Sequence, residues 1–147
     1  MPVKFESQRG ASLIEVLVAL VLFSIGVLGL AAMQLTALKA NQTASVRTHA
    51  IFLAYEMADR MRAARGDAQA GFYNLAIGAE LPCDPANETC LPFQRDLAEW
   101  RANLAQQLPD GNGGVVQNGD RFTVVVQWNE ERVGGSNAQQ FSFVTQI

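Results

Sequence analysis

The chain has 147 residues, of which 49% are hydrophobic, and 11 basic and 14 acidic residues give it a formal net charge of −3 at pH 7. This length leaves room for one soluble domain at most, in addition to a hydrophobic segment near the N-terminus. A mildly acidic chain presents no positive surface to a polyanion, which argues against a protein that binds nucleic acid.

An apolar run near the N-terminus, Leu13 to Met33, contains Glu15 as its only charged residue. As a helix with a rise of about 1.5 Å per residue, the run would be about 30 Å long, which matches the hydrocarbon core of a bilayer. A charge within such a span costs about 2.5–3.5 kcal/mol on insertion scales, so Glu15 is a candidate functional residue. The alternative is that Glu15 lies in the first turn at headgroup level, where the helix dipole tolerates a carboxylate.

The residues before this run differ from an ordinary secretory signal peptide. The polar leader 1–9 contains Lys4 and Arg9, so the positive-inside rule keeps the N-terminus cytoplasmic and translocates the rest of the chain. The small pair Gly10 and Ala11 precedes the apolar run, whereas a signal-peptidase site follows it. Cleavage at this pair would therefore leave the hydrophobic helix on the mature protein.

Helical periodicity continues beyond the apolar run and predicts one long helix from Ser12 to Arg65. One face of its second half carries Val46, Ala50, Leu53, Met57 and Met61. Basic residues in the last turn, followed by Gly66, indicate its C-terminus. Gly26 and Gly29 permit close helix packing in lipid, although glycine is also simply tolerated in membrane helices.

Residues Asp67 to Leu91 predict an irregular loop that contains the two cysteines of the chain, Cys83 and Cys90. An even count and a translocated location favour a disulfide between them. A metal site is the alternative, but two thiols without histidine or carboxylate ligands at suitable spacing would make a poor one.

The remaining residues predict a second helix followed by a small sheet. The helix begins at Pro92, and its apolar stripe consists of Phe93, Leu97, Trp100, Leu104 and Leu108. Strands are predicted at Val115–Gln117 and Arg121–Trp128, around the turn Asn118-Gly119, and at Gln139–Ile147. Phe122, Val124, Val126 and Trp128 would share one face of the second strand, and Phe141 and Phe143 one face of the third. The expected architecture is α+β, with a small antiparallel sheet laid across the second half of the long helix.

No pattern in the chain predicts catalysis, a cofactor or a metal. His49 is the only histidine, and its place at the edge of the apolar stripe predicts a partly buried structural role. Asp110-Gly111-Asn112 resembles the start of a calcium loop but lacks the remaining acidic ligands. Asn41 and Asn87 match glycosylation acceptors by pattern only.

Residues 9–20, RGASLIEVLVAL, resemble the class III signal of type IV prepilins and type II secretion pseudopilins. The resemblance implies that a prepilin peptidase cuts between Gly10 and Ala11 and methylates the new N-terminus at Ala11. It also implies an assembly role for Glu15, whose carboxylate would pair with the N-terminal amine of a neighbouring subunit. The sequence departs from the commonest pattern at Ala11, where most members have phenylalanine.

About the first 65 residues are also similar to type IV pilus modification proteins, the PilV-like minor pilins. The similarity lies in residues 24–30 with Gln34, in residues 47–50 and in residues 58–62. It implies a pilin-like fold and a low-abundance subunit. Such a subunit joins other minor pilins and the major pilin in a priming or tip complex.

These observations predict a leader at 1–10, a transmembrane and assembly segment at 11–38, and a periplasmic pilin-like domain at 39–147. The protein would span the bacterial inner membrane once and then enter the pilus at the cell surface. Three alternatives stay open. They are a minor pseudopilin of a type II secretion system, a tip adhesin or ligand-binding module that uses the Asp67–Leu91 loop or the Asn129–Asn137 connection, and an uncleaved single-pass membrane protein.

Overall fold

A computed structural model of the chain describes residues 12–81, 83–84, 89–131 and 138–147. Its elements in chain order are α1 (Leu13–Ala63), α2 (Arg65–Gln69), α3 (Pro92–Gln107), β1 (Asn112–Asn118), β2 (Arg121–Trp128) and β3 (Gln139–Gln146). A long N-terminal helix, a second main helix and a small sheet form the α+β architecture that the sequence predicts. The chain divides into two compact units, Met1–Leu38 and Lys39–Ile147.

The second half of α1 supplies one side of the hydrophobic core. Its buried residues are Ala50, Leu53, Ala54, Met57, Ala58 and Met61. They recur every three or four positions, which places them on one face of the helix. The stripe predicted from the periodicity is therefore confirmed, and Val46 packs at its edge as a partly buried residue.

The end of α1 differs from the prediction. The helix ends at Ala63, and after a break at Ala64 the chain forms the short helix α2, which includes Gly66. Gly66 is therefore not a left-handed cap, and the left-handed residue is Gly71, with φ of 87°. The additional helical turn buries Ala68 completely against the core. This burial favours a helix at residues for which Gly66 alone indicated a loop.

The three strands form an antiparallel sheet in the order β1-β2-β3, in which Val115 pairs with Val124 and Val124 pairs with Phe143. The β1–β2 hairpin closes with Asn118 opposite Arg121, so its two-residue loop is Gly119-Asp120, one position later than predicted. Gly119 has φ of 61°, a value suited to glycine at the first loop position of a type II′ turn.

The predicted face of β2 is confirmed, because all of its members are buried: Phe122, Val124, Val126 and Trp128. They share one core cluster with the buried stripe of α1 and with Leu97, Trp100 and Leu104 of α3. The indole Nε1 of Trp100 donates a buried hydrogen bond to the backbone carbonyl of Leu53, at 2.8 Å. This bond ties α3 to α1 inside the core.

Candidate assembly site

The first turn of α1 carries Glu15 at an exposed helix end. The carbonyl of Ser12 accepts hydrogen bonds from the backbone N–H groups of Glu15, at 3.0 Å, and Val16, at 3.2 Å. Glu15 is exposed, and no ion pair within the described part of the chain involves it. Its carboxylate can therefore interact with the dipole of α1 and remains accessible to a partner. Gly10 and Ala11, the predicted cleavage and methylation sites, lie outside the described residues.

The first half of α1 exposes an apolar surface along its whole length. Every residue from 12 to 42 is exposed, including Leu13 at 78% and Leu28 at 70%. By length and composition, α1 could cross a membrane. Removal of apolar surface from water is favourable by about 25 cal/mol per Å². Transfer of this segment into a bilayer, or burial among other apolar helices, would therefore be strongly favourable.

Gly26 and Gly29 lie on this exposed part of α1. A Cβ atom built on either glycine would meet no atom within 4 Å. Packing within the chain therefore does not require glycine at these positions. Their role in packing against other helices stays a prediction.

A buried carboxylate connects α1 to the end of β2. Glu130 is only 2% exposed, and its two oxygens accept hydrogen bonds from Nε of Arg47, at 3.0 Å, and from Nη2 of Arg47, at 3.2 Å. The indole Nε1 of Trp128 also donates to Glu130, at 3.0 Å. The bonds from Arg47 and Trp128 outweigh burial and hold the pKa of the Glu130 carboxyl below its ordinary value.

A second polar cluster joins α1 to α3. Arg60 donates to Glu56 at 2.7 Å and to Asp96 and Glu99 at 3.2 Å each. The other oxygen of Asp96 accepts the hydroxyl of Tyr73 at 2.6 Å. Burial and the neighbouring Asp96 carboxylate raise the pKa of the Tyr73 phenol above its ordinary value. The cluster orients α3 on the core through bonds that α1 supplies.

Hydrogen bonds from Arg101 and a disulfide hold the segment between α2 and α3. Arg101 on α3 donates to the backbone carbonyls of Gly113, at 3.0 Å, and Ala76, at 2.6 Å, and also to that of Ala79. Burial lowers the pKa of its guanidinium. A disulfide joins Cys83 to Cys90 across a Cα–Cα distance of 5.9 Å, as the sequence predicts. The segment is thus tied to the domain near its middle and at its end.

The structure also places other residues that the sequence singled out. His49 is exposed, so the predicted partly buried role is wrong. His49 immediately precedes buried Ala50, and successive residues of a helix are rotated by about 100°. This rotation places the imidazole of His49 in solvent. Asn41 is an exposed helical residue, whereas Asn87 lies outside the described residues. No group of three metal-ligating side chains occurs within the described ranges.

The residues that join the elements of the domain were not evident from the sequence. Arg47 and Glu130 are 83 positions apart, and Glu130 lies in a stretch that reads only as a charged connection. Arg101 donates hydrogen bonds to backbone carbonyls. Because every residue has a backbone carbonyl, the sequence does not indicate which residues Arg101 contacts. Only the folded arrangement brings these groups together.

Two family models match the chain, and together they extend from residue 7 to residue 100. Residues 7–31 match the prokaryotic N-terminal methylation motif. Residues 32–100 match the Tt1218-like family, described as type IV pilin Tt1218. No curated protein and no solved structure gives a significant match.

Proposed function

We propose that this chain, a type IV pilin with an N-terminal methylation motif, is a PilV-like minor pilin. In this proposal a prepilin peptidase removes residues 1–10 and methylates Ala11. The segment 11–38 then anchors the protein in the inner membrane, and the domain at 39–147 lies in the periplasm. From there the subunit joins other minor pilins and the major pilin in a priming or tip complex. The similarity of residues 24–30 and 58–62 to PilV-like minor pilins supports a minor role.

The observation that carries the proposal is the exposed apolar half of α1, with accessible Glu15 in its first turn. In a bundle of such helices, the amine of processed Ala11 and the carboxylate of Glu15 would both leave water. Each charge is costly in an apolar environment unless it is paired. Pairing Glu15 of one subunit with the Ala11 amine of a neighbour satisfies both, and removing one partner of a buried pair costs about 3–5 kcal/mol.

The test compares Glu15→Gln with Glu15→Asp in cells that assemble the fibre. Intact mass should show that both variants begin at Ala11, with an added methyl group, because the cleavage site is unchanged. Sheared fibres should contain less of Glu15→Gln by about tenfold or more, since the amide cannot neutralise the amine. Glu15→Asp keeps the charge and should retain part of the incorporation. Equal amounts of Glu15→Gln and the native protein in the fibres would contradict the proposed pairing.

Deletion of the gene identifies the machine. Loss of surface fibres and of twitching motility, with secretion of exoproteins intact, supports a minor pilin of a type IV pilus. Loss of secretion with normal fibres would instead assign the chain to a type II secretion system. Retention of residues 1–9 in the presence of active peptidase would contradict both assignments.

A further inference from the structure

We propose that two copies of this chain pair through the outer edge of β3 and form one continuous antiparallel sheet across a two-fold axis. β3 is an edge strand, because the sheet has the order β1-β2-β3. No other described residue pairs with β3 on the side away from β2. Gln139, at the start of the strand, has a further interaction, so the proposed edge extends from Gln140 to Gln146. The backbone groups along such an edge are a template for another strand.

The opposite edge of the sheet, on β1, is covered at its centre. Leu75 forms an isolated antiparallel bridge with Val115 of β1, through two backbone hydrogen bonds of 2.9 Å. A strand that approached β1 would have to displace the Leu75 segment. The described residues therefore leave one edge of the sheet for a partner. When each molecule has a single such edge, pairing the two equivalent edges gives a closed dimer and not a fibre, which favours a second copy as the partner.

The sequence of β3 is suited to pairing with itself. Natural edge strands are commonly protected from pairing by charged side chains, proline or a bulge. β3 has the sequence QQFSFVTQ, which contains neither a charged residue nor proline. Its residues pair with β2 in an uninterrupted register from Gln139 to Gln146, so the strand is also regular. A strand that carried charges of one sign would repel its own copy, whereas two copies of β3 bring no charged side chains together.

A register centred on Phe143 uses the edge from Gln140 to Gln146 and leaves out Gln139. The ring of Phe143 contacts that of Tyr55 on α1, with 4.5 Å between the ring centroids, and Tyr55 is 44% exposed. This register would bring the two Phe143 rings together beside the two Tyr55 rings, and aromatic cross-strand pairs stabilise a sheet. On the other face of the sheet, exposed Ser142 would lie opposite exposed Val144 of the second copy.

The first test is sedimentation equilibrium of the full chain in detergent over a range of protein concentrations, and we expect a reversible dimer. Val144→Lys should weaken dimerisation about tenfold, because it brings two ammonium groups close together at the new strand pair. Val116→Lys is the matched control and should dimerise like the native protein. Val116 lies on the same face of the sheet as Val144 but on β1, and the two are similarly exposed, at 52% and 56%. The comparison therefore separates pairing through β3 from association through the apolar part of α1.

The second test is disulfide cross-linking. Because the two native cysteines are joined to each other, an introduced cysteine is the free thiol of each variant. When Ser142→Cys is mixed with isotopically labelled Val144→Cys, the mixed disulfide should form several-fold faster than a disulfide of either variant with itself, since the two positions lie opposite each other. Gln106→Cys, at an exposed position on α3, is the control and should cross-link slowly with both.

Near-ultraviolet circular dichroism verifies that each variant is folded. The proposal is overturned if the native chain stays monomeric at every concentration, or if folded Val144→Lys dimerises as strongly as the native protein. It is also overturned if the mixed disulfide of Ser142→Cys with Val144→Cys forms no faster than the disulfides with Gln106→Cys.

Discussion

Replacing Arg47 with methionine removes both guanidinium hydrogen bonds to Glu130 and keeps much of the aliphatic length of the side chain. Glu130 would retain only the indole N–H of Trp128, at 3.0 Å on Oε1. Its Oε2 atom, which accepts from Arg47 at 3.2 Å, would then have no partner among the described residues. The variant therefore leaves one oxygen of a buried carboxylate without a hydrogen bond. Removing only one partner of a buried pair is destabilising because the remaining polar atom is buried without a partner.

The expected loss of stability depends on the unequal exposure of the two side chains, which is 54% for Arg47 and 2% for Glu130. Breaking a fully buried pair costs about 3–5 kcal/mol, whereas an exposed pair contributes about 0–1 kcal/mol. The cost of Arg47→Met therefore falls on Glu130, because a buried polar atom left without its partner costs about 1–3 kcal/mol. We expect the free energy of unfolding to fall by about 2 kcal/mol. In a domain of this size, that loss lowers Tm by roughly 8 °C.

The assay is urea unfolding of the full chain in detergent. Unfolding is monitored by the fluorescence of Trp100 and Trp128, which both lie in the core. At pH 7 the ionised Glu130 stabilises the native protein, because its folded pKa lies below the unfolded value of about 4.3. This stabilisation is lost as the pH falls through the folded pKa. The difference between the native protein and Arg47→Met should therefore decrease from pH 7 to about pH 3.

Arg95→Met, at an exposed position on α3, is the matched control and should change stability by less than about 0.5 kcal/mol. The double variant Arg47→Met with Glu130→Gln should lose less stability than the sum of the two single variants. Strictly additive losses, or a difference for Arg47→Met that stays constant down to pH 3, would refute the reasoning about this pair.

Three further perturbations test the core, the loop and the polar cluster. Gly113→Ala should destabilise the domain by about 1–3 kcal/mol in urea unfolding, because a Cβ would lie 2.4 Å from the Trp100 ring; a neutral effect would mean that the ring can move. Replacing Cys83 and Cys90 together with serine should cost about 2–3 kcal/mol, and an equal Tm under reducing and oxidising conditions would show that the disulfide contributes nothing. The phenol of Tyr73 should stay protonated at a pH where a solvent-exposed tyrosine ionises, and the difference between the ultraviolet titrations of the native protein and Tyr73→Phe measures this.

The regular elements were predictable where one periodicity continues for several turns or alternates cleanly along a strand. The buried stripe of α1 and the buried face of β2 follow directly from the spacing of apolar residues. Such patterns reflect contact with the core on one side only, and that information is local to the element.

The sequence was less informative where packing overrides residue preference. Gly113 and Gly114 resemble a loop, yet both belong to β1. Glycine is needed there because a Cβ on Gly113 would strike Trp100 and a Cβ on Gly114 would lie 2.7 Å from the carbonyl of Leu75. Neither contact can be predicted without knowing that α3 packs on the sheet and that Leu75 forms an isolated bridge with Val115 of β1.

For the predicted assembly segment at 11–38, the sequence is more informative than the fold. Its apolar run, its single carboxylate and its small residues are all evident in the sequence, whereas one folded chain leaves them exposed. Because the described residues of this segment are exposed along its length, the folded chain adds little to the sequence pattern. The ion pair of Arg47 with Glu130 and the bonds from Arg101 to backbone carbonyls, by contrast, are evident only in the folded structure.

The buried stripe from Ala50 to Met61 lies on α1 itself, so a pulling force applied to α1 at the edge of the domain would act directly on the hydrophobic core. Within the domain, the force would act along α1 against its side contacts, including the Trp100 bond to Leu53 and the Arg47 bonds to Glu130. These bonds connect α1 to α3 and to the sheet, so they would be loaded in shear and share the tension. Such a force would thus strain several contacts together instead of opening them one after another.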